Sequence, residues 1–319
     1  MDKEFKSYEE MLNLLSDRGI NLEGSDLRGR SKVLLQHYGY YNLVNGYKKP
    51  FLMKDSSGII LVPETYIPGT TIEDIYALYR FDCKLRYSML QCTLDIETNL
   101  KSLISYTFSN FHGHKNYLVL ENFDNQQKDG ASKIVALIAD LQKQLAARSS
   151  DPSIQHYLSE YGYVPLWVLN NILTFGQISK FYSLMLPSER AAIAKKFHVQ
   201  HNELTNMLTI LTQVRNLCAH SNRLYCFRTK RPLSDLPAHA ALALPMNVRT
   251  HEYIYGKRDF CAVLITMYYL LPRYRFKQLI KTINKNLYGT KFSNGVSAED
   301  EILSAMGLPI DWSDRFNQI

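Results

Sequence analysis

An arginine and a histidine five positions apart are the residues of this chain best suited to chemistry on a phosphate. They are Arg215 and His220, in the segment LTQVRNLCAHSNRLYCF from Leu211 to Phe227. A histidine moves protons near neutral pH, and an arginine offers a forked donor that matches a phosphate group. RNA cleavage by the ribose 2′-hydroxyl needs a proton acceptor, a proton donor and a cation. These side chains could supply all three without a metal or cofactor, and Asn216 could orient the imidazole.

The spacing of this pair is weak evidence by itself, because R-x-x-x-x-H often occurs by chance. The alternative interpretation is that both side chains face water at a helix end. At about 100° per residue, Asn216, His220 and Arg223 share one face of a helix. Arg215 lies about 140° around the helix from His220. The two act together only if the long arginine side chain bends or if the helix meets a partner surface that receives both.

A second polar stripe runs along the longest predicted helix. Its members recur on nearly one line of the helix: Asp82, Arg86, Thr93, Glu97 and Lys101. By itself this pattern favours a solvated face with i,i+4 ion pairs. If the stripe packs beside the helix of His220, Asp82 or Glu97 could instead orient His220 or Arg215, and Arg86 could support them or contact phosphate.

The composition predicts a folded protein with a sizeable core, since 46% of the 319 residues are hydrophobic. The formal charge of +7 is compatible with a polyanionic partner but does not require one. Five cysteines without a C-x-x-C pair argue against a disulfide framework or a zinc ribbon. This cysteine usage suits a reducing cytosol.

Three further features bear on membranes, secretion and metals. The longest apolar run, Phe260 to Leu271, is too short to span a bilayer, which needs about 20 residues, and predicts a buried helix. The N-terminus lacks the apolar core of a signal peptide. His112 and His114 have no acidic or cysteine companion nearby, so we predict loop residues and no metal site. We expect a cytoplasmic protein without membrane contact.

Helical periodicity through most of the chain predicts an all-α fold. A short helix is predicted to follow Ser25 and Asp26, two possible caps. A capping-box pattern at Thr70 and Glu73 predicts the start of one long helix, or of two in line. The segment DSSGIILVPETYIPGTT, an apolar burst between turn residues, predicts a short strand or hairpin.

Several blocks in a fixed order resemble one known family, the Abi-like proteins of bacterial abortive infection (the AbiD/AbiF type), within the HEPN superfamily. The blocks are RGINLEGSDLRGRSKVLLQHYGYYNLVNGYKKPF, IYALYRFDCKLRYSMLQCTLDIETNLKSLISY, VPLWVLNNILTFGQISKFY and VRNLCAHSNRLY. The last is the most specific, because R-N-x-x-A-H followed by R-L-[WY] is how this family writes the HEPN signature. On this basis we divide the chain into an N-terminal helical and aromatic region (1–68), a HEPN-like helical domain (69–290) and a C-terminal extension (291–319).

The resemblance implies a helical bundle and, for RNase members, a metal-independent endoribonuclease with no cofactor. Arg215 and His220 match the catalytic pair, and Asn216 is the polar residue after the arginine. The matching positions for a supporting polar network are Asp82, Arg86 and Glu97, to which helix geometry adds Arg223. HEPN units commonly pair so that both signatures line one cleft, which implies a homodimer and removes the difficulty of the 140° offset.

The resemblance also links the chain to phage defence, toxin-like growth arrest and RNA. Relatives of the AbiF type are associated with a neighbouring structured noncoding RNA that restrains the protein. An RNA-binding surface is predicted in YYNLVNGYKKPF, at Tyr40, Tyr41, Tyr47, Lys48 and Lys49, although aromatic core packing explains this segment equally well. Two alternatives stay open: a non-catalytic RNA-binding module, and a protein-interaction scaffold without nucleic acid.

Overall fold

A single long helix organises the fold and positions every element of the candidate site. The structure is a computed structural model that describes residues 4–24, 26–293 and 296–319, apart from the side chains of 296 and 297. The helices are α1 (Tyr8–Asp17), α2 (Leu27–Tyr38), α3 (Ile72–His112), α4 (Gly130–Ala147), α5 (Pro152–Tyr161), α6 (Leu166–Ile172), α7 (Phe175–Leu184), α8 (Pro187–Ala194), α9 (His201–Ala219), α10 (Pro237–Ala241), α11 (Phe260–Leu270), α12 (Arg273–Tyr288), α13 (Val296–Met306) and α14 (Trp312–Gln318). Short turns of π or 3₁₀ helix add Tyr41–Asn45, Lys49–Phe51, Leu120–Asn122 and Lys195–Phe197. The all-α prediction is confirmed.

Helix α3 is one continuous helix of 41 residues, since no glycine or proline interrupts it. Its capping box lies one residue later than predicted. The Thr71 hydroxyl accepts from the Asp74 amide, and the Asp74 carboxylate accepts from the Thr71 amide at 2.7 Å. The Thr70 hydroxyl instead donates to the Ile67 carbonyl in the preceding turn. Helices α2, α6, α7, α8, α9 and α12 pack against α3.

The N-terminal region packs onto α3 through the π-helical turn Tyr41–Asn45. Ser25, a predicted cap of α2, lies outside the described residues, and Asp26 makes no side-chain capping bond. The predicted hairpin is present as antiparallel hydrogen bonds and isolated bridges, including Leu52 with Tyr66, and the described part of the chain contains no regular β-strand. Buried side chains form one core across the predicted boundary at residue 68, and the domain division stays a prediction.

Helix α11 is the predicted buried helix. Its residues from Phe260 to Met267 are all buried, and so is Leu270. Asp259 caps its first turn by accepting hydrogen bonds from the amides of Ala262 and Gly256, at 3.1 and 3.0 Å. Within the described ranges, no helix combines the length and apolar character needed to cross a bilayer.

Candidate functional site

The signature segment ends helix α9. One side of α9 is buried by apolar residues that include Leu211, Val214 and Cys218, and this helix packs against α3. The helix stops at Ala219 in a Schellman motif, in which the amide of Asn222 donates to Leu217 and the amide of Ser221 to Cys218. His220 is the residue that caps this end.

Helix α9 ends earlier than the sequence predicted, so the three signature residues do not all lie on one helical face. Ser221 has a φ of +54°, so the backbone turns left-handed directly after His220. Arg223 therefore belongs to the following loop, and it does not continue the helical face of Asn216 and His220. The turn is what redirects the chain after the histidine.

His220 is exposed and faces a cleft of about 570 Å³. Its imidazole has no hydrogen-bond partner among the described residues. The cleft lies between the loop after α9 and the end of α2 with the π-helical turn. Its lining residues are His37, Tyr38, Tyr41, Asn42, Asn45, Gly46, Tyr47, Tyr79, His220, Ser221, Asn222 and Arg223. Sequence patterns alone gave no reason to place the N-terminal region beside His220.

Arg215 and Asn216 do not line this cleft. Arg215 is half-buried, and its Nε atom is buried without a hydrogen-bond partner in the described part of the chain. Asn216 is exposed, and its side chain does not contact the imidazole through a hydrogen bond, so the expected orienting role is not seen here. The structure thus brings His220 and Arg223 to one cleft and leaves Arg215 outside it.

Asp82 is the buried anchor of the cleft. Its carboxylate forms an ion pair with Arg86 and accepts a hydrogen bond from the Tyr47 hydroxyl at 2.8 Å. It also accepts from the backbone amides of Tyr225 at 2.7 Å and Leu224 at 3.1 Å. The interpretation of this stripe as a solvated face is therefore wrong, because Asp82 and Arg86 are buried and need these partners.

Burial and the bonded partners shift the pKa values of Asp82 and Arg86 in opposite directions. Burial raises the pKa of Asp82, while Arg86, the Tyr47 hydroxyl and the two amides oppose that rise. Burial works to lower the pKa of Arg86, but Asp82 and Tyr47 raise it. Four donors on one carboxylate favour the ionised pair.

The same anchor joins the two walls of the cleft. Tyr47 follows the π-helical turn on one wall, and Leu224 and Tyr225 follow the histidine loop on the other. Arg223 adds a second tie, since its Nη1 atom donates to the Gly46 carbonyl at 2.8 Å. Asp82 and Arg223 therefore hold the π-helical turn opposite the segment that carries His220, and they do not bind the imidazole itself.

Glu97 belongs to a separate buried pair. Its Oε1 atom lies 2.8 Å from Lys101 Nζ, and its Oε2 atom is buried without a hydrogen bond in the described residues. Eleven residues of helix separate it from Arg86, a rise of about 16 Å. It has no hydrogen bond or ion pair with Arg215 or His220, so the predicted network divides in two.

The predicted RNA-binding residues have different surroundings. Tyr41 is 77% exposed and lines the cleft, and Lys49 is exposed, whereas Tyr40 is half-buried. Lys48 is partly buried and pairs with Glu64. Tyr47 is 2% exposed and bound to Asp82, so we reassign it from the RNA-binding surface to the buried anchor.

The thiol of Cys226 feels the charges of several cationic side chains. Burial raises the pKa of this thiol, and the positive charges of Arg223, Lys49 and Arg228 oppose the rise. Lys49 and Arg228 do not line the cleft, and Arg228 donates to the backbone carbonyls of Phe227 and Ala305.

The predicted loop histidines have partners of their own. His112 is the last residue of α3, not a loop residue, and it pairs with the buried Glu189 of α8. His114 shares a hydrogen bond of 2.8 Å with the Tyr163 hydroxyl. Among the described residues, no cluster of three or more histidine, cysteine or acidic side chains could bind a metal.

The comparison with known families covers the site. Residues 33–226 match the family model described as Abi-like protein, so the chain belongs to the Abi-like family, whose name refers to abortive infection. The match contains the π-helical turn, α3 and the whole of α9 with His220. No curated protein and no solved structure matches the chain.

Proposed function

We propose that this Abi-like protein is a HEPN-type, metal-independent endoribonuclease of a toxin-like phage-defence system. The observation that carries the proposal is the presentation of His220. Its exposed imidazole has no partner among the described residues, and it faces a cleft whose walls are tied together by the buried Asp82. Side chains that act in catalysis are presented by rigid elements whose geometry supporting residues hold in place.

The reaction needs no group beyond the RNA and protein side chains. The ribose 2′-oxygen attacks the adjacent phosphorus while the bond from phosphorus to the 5′-oxygen breaks. One proton leaves the 2′-hydroxyl and one reaches the departing 5′-oxygen, and His220 takes part in this proton transfer. The products are a 2′,3′-cyclic phosphate and a 5′-hydroxyl. The guanidinium of Arg215 stabilises the negative charge that develops on the phosphate.

Arg215 completes the site from a second copy of the chain in this proposal. It lies outside the cleft of its own His220, and its Nε atom has no partner among the described residues. In a homodimer the α9 helices of two protomers meet, and each arginine serves a cleft shared by both. The RNase arrangement implied by the family resemblance has this form.

Purified protein and a single-stranded RNA test the activity directly. The wild type is incubated with end-labelled RNA in EDTA, beside the double variant Arg215→Ala/His220→Ala. We expect the wild type to leave 2′,3′-cyclic phosphate ends and the double variant to leave the RNA intact. Equal cutting by both proteins, or ends of another chemistry, would sink the proposal.

A non-catalytic RNA-binding module is the second candidate. It is favoured by the separation of Arg215 from the cleft, because a binding protein does not need the two side chains together. It predicts RNA that co-purifies with the protein and binding that survives His220→Ala, without cleavage of any RNA tested.

We also propose a structured noncoding RNA as the partner that restrains this activity. The exposed ring of Tyr41 and the guanidinium of Arg223, which both line the cleft, support an RNA at this site. Nucleic acid extracted from the purified protein and sequenced should contain one abundant folded species. Recovery of no discrete RNA would contradict this partner.

A further inference from the structure

The wall opposite His220 carries side chains suited to a nucleobase. Tyr41 begins the π-helical turn with its ring 77% exposed and lining the cleft. Exposed tyrosines on a nucleic-acid surface stack on unpaired bases. Asn42 lies next to it and is also exposed at the cleft.

Unpaired carboxamides line the same cleft as this ring. Asn42 and Asn45 line the near wall and Asn222 the far wall. None of the three side chains has a hydrogen-bond partner among the described residues. A carboxamide both donates and accepts, so these groups can read the edge of a base.

The cleft is better suited to a base than to a phosphate. Arg223 is the one permanently charged side chain among the described residues that line it. Its Nη1 atom is already occupied by the carbonyls of Asn45 and Gly46, at 3.4 and 2.8 Å. A phosphate would meet few free cations there, whereas a flat ring would meet an aromatic face and several amides.

We infer that this cleft is a base-recognition subsite for single-stranded RNA. Tyr41 stacks on one unpaired base, and the carboxamides of Asn42 and Asn45 bind its edge. The cavity of about 570 Å³ is within the size range of ligand pockets, about 300 to 1,000 Å³. The inference rests on the proposed function for one point only, that the bound base belongs to the nucleotide beside the phosphate at His220.

Binding of short RNAs to single variants tests this subsite. Fluorescent decamers of adenylate, cytidylate or uridylate are titrated against the full chain, with His220→Ala as a common background that leaves the RNA intact. In that background we compare Tyr41→Ala, Tyr41→Phe and Tyr106→Ala. The last is the matched control, a tyrosine of α3 that is 75% exposed and absent from the cleft.

The expected result is a loss of affinity confined to the ring of Tyr41. Tyr41→Ala should weaken binding about 5- to 160-fold, the range for one stacked base. Tyr41→Phe should bind like the background protein, and so should Tyr106→Ala. The double change Asn42→Ala/Asn45→Ala should reduce the differences in affinity between the three decamers.

Failure of the subsite can be told apart from failure of the nuclease. Unchanged binding by Tyr41→Ala, or an equal loss with Tyr106→Ala, would overturn the subsite even if the wild type cuts RNA. A specific loss with Tyr41→Ala would support the subsite even if the wild type cuts nothing. If the variant Asn42→Ala/Asn45→Ala keeps the same differences in affinity between the three decamers, the proposed recognition of the base edge would be overturned.

Discussion

At the scale of single residues, His220 and Arg215 come from one short segment but are presented differently by the fold. His220 caps a helix and is open to a cleft, whereas Arg215 is half-buried on the helix body. The sequence spacing correctly drew attention to the segment, but it could not show where α9 stops. That end depends on Ser221 entering a left-handed conformation, which the sequence does not mark with glycine or asparagine.

Asp82 offers the clearest prediction about stability at this scale. Asp82→Ala leaves Arg86 charged and buried, and it removes the acceptor of two backbone amides. Breaking a buried pair in this way should lower the free energy of unfolding by about 3–5 kcal/mol. Denaturant unfolding, monitored by circular dichroism, measures the change.

The control lies on the same helix. Asp95 forms an exposed ion pair with Arg275, so Asp95→Ala should lower the free energy of unfolding by less than about 1 kcal/mol. Similar losses for Asp82→Ala and Asp95→Ala would show that the buried anchor does not stabilise the cleft as described.

At the scale of elements, the cleft depends on ties between the π-helical turn and the loop after α9. Sequence periodicity predicted α3 and α9 because their apolar stripes are long. It could not predict these ties, since Asp82 lies 35 residues from Tyr47 and 142 from Leu224 in the chain. Such contacts follow from the packing of α3 on α9, not from any local pattern.

Arg223→Ala should loosen the wall formed by the π-helical turn. The variant loses the hydrogen bonds to the carbonyls of Asn45 and Gly46, but it leaves the buried anchor in place. Hydrogen exchange followed by mass spectrometry should show faster exchange in 41–48 and unchanged exchange in α11. Unchanged exchange in 41–48 would contradict the role of Arg223 as a tie.

The cap of α11 predicts a specific dependence of stability on pH. Burial raises the pKa of Asp259 to about 6, against the hydrogen bonds from Ala262 and Gly256. Between pH 4 and 6 the unfolded chain releases this proton while the folded chain retains it, so a rising pH favours unfolding. Over this range, the free energy of unfolding of the wild type should fall by up to about 3 kcal/mol more than that of Asp259→Asn.

Paired urea titrations at pH 4, 5, 6 and 7 measure this difference. Asp259→Asn is the suitable comparison because asparagine still caps a helix but does not titrate. The free energy of unfolding of the wild type should fall more steeply with rising pH than that of Asp259→Asn. Parallel curves for the two proteins would contradict a buried, proton-retaining carboxyl at this cap.

At the scale of the whole molecule, the sequence predicted the all-α fold, the long central helix and the buried apolar helix correctly. It placed the capping box of α3 one residue early and interpreted a buried ion-pair stripe as a solvated face. The first error arose because Thr70 and Thr71 are adjacent and each has an acidic residue three positions later. The second arose because spacing defines a helical face but does not show which neighbour covers it. The cleft combines residues from the two ends of the matched region, which no short pattern reports.

The proposed shared site predicts a homodimer. Light scattering after size-exclusion chromatography should give about twice the chain mass of 36.9 kDa. Mixing Arg215→Ala with His220→Ala protomers should restore part of the cleavage activity, because one of the two clefts in a mixed dimer keeps both side chains. A monomer in the presence and absence of RNA, with no restored activity, would contradict the sharing of Arg215.

The central claim is that His220, presented at the cleft, takes part in cutting RNA. The most direct measurement is the single-turnover cleavage rate of one end-labelled RNA by wild type, His220→Ala and His156→Ala. His156 is an exposed histidine of α5 that does not line the cleft. We predict a loss of about 100-fold or more for His220→Ala and an unchanged rate for His156→Ala. Equal rates for all three proteins, or no cleavage by the wild type, would contradict the claim.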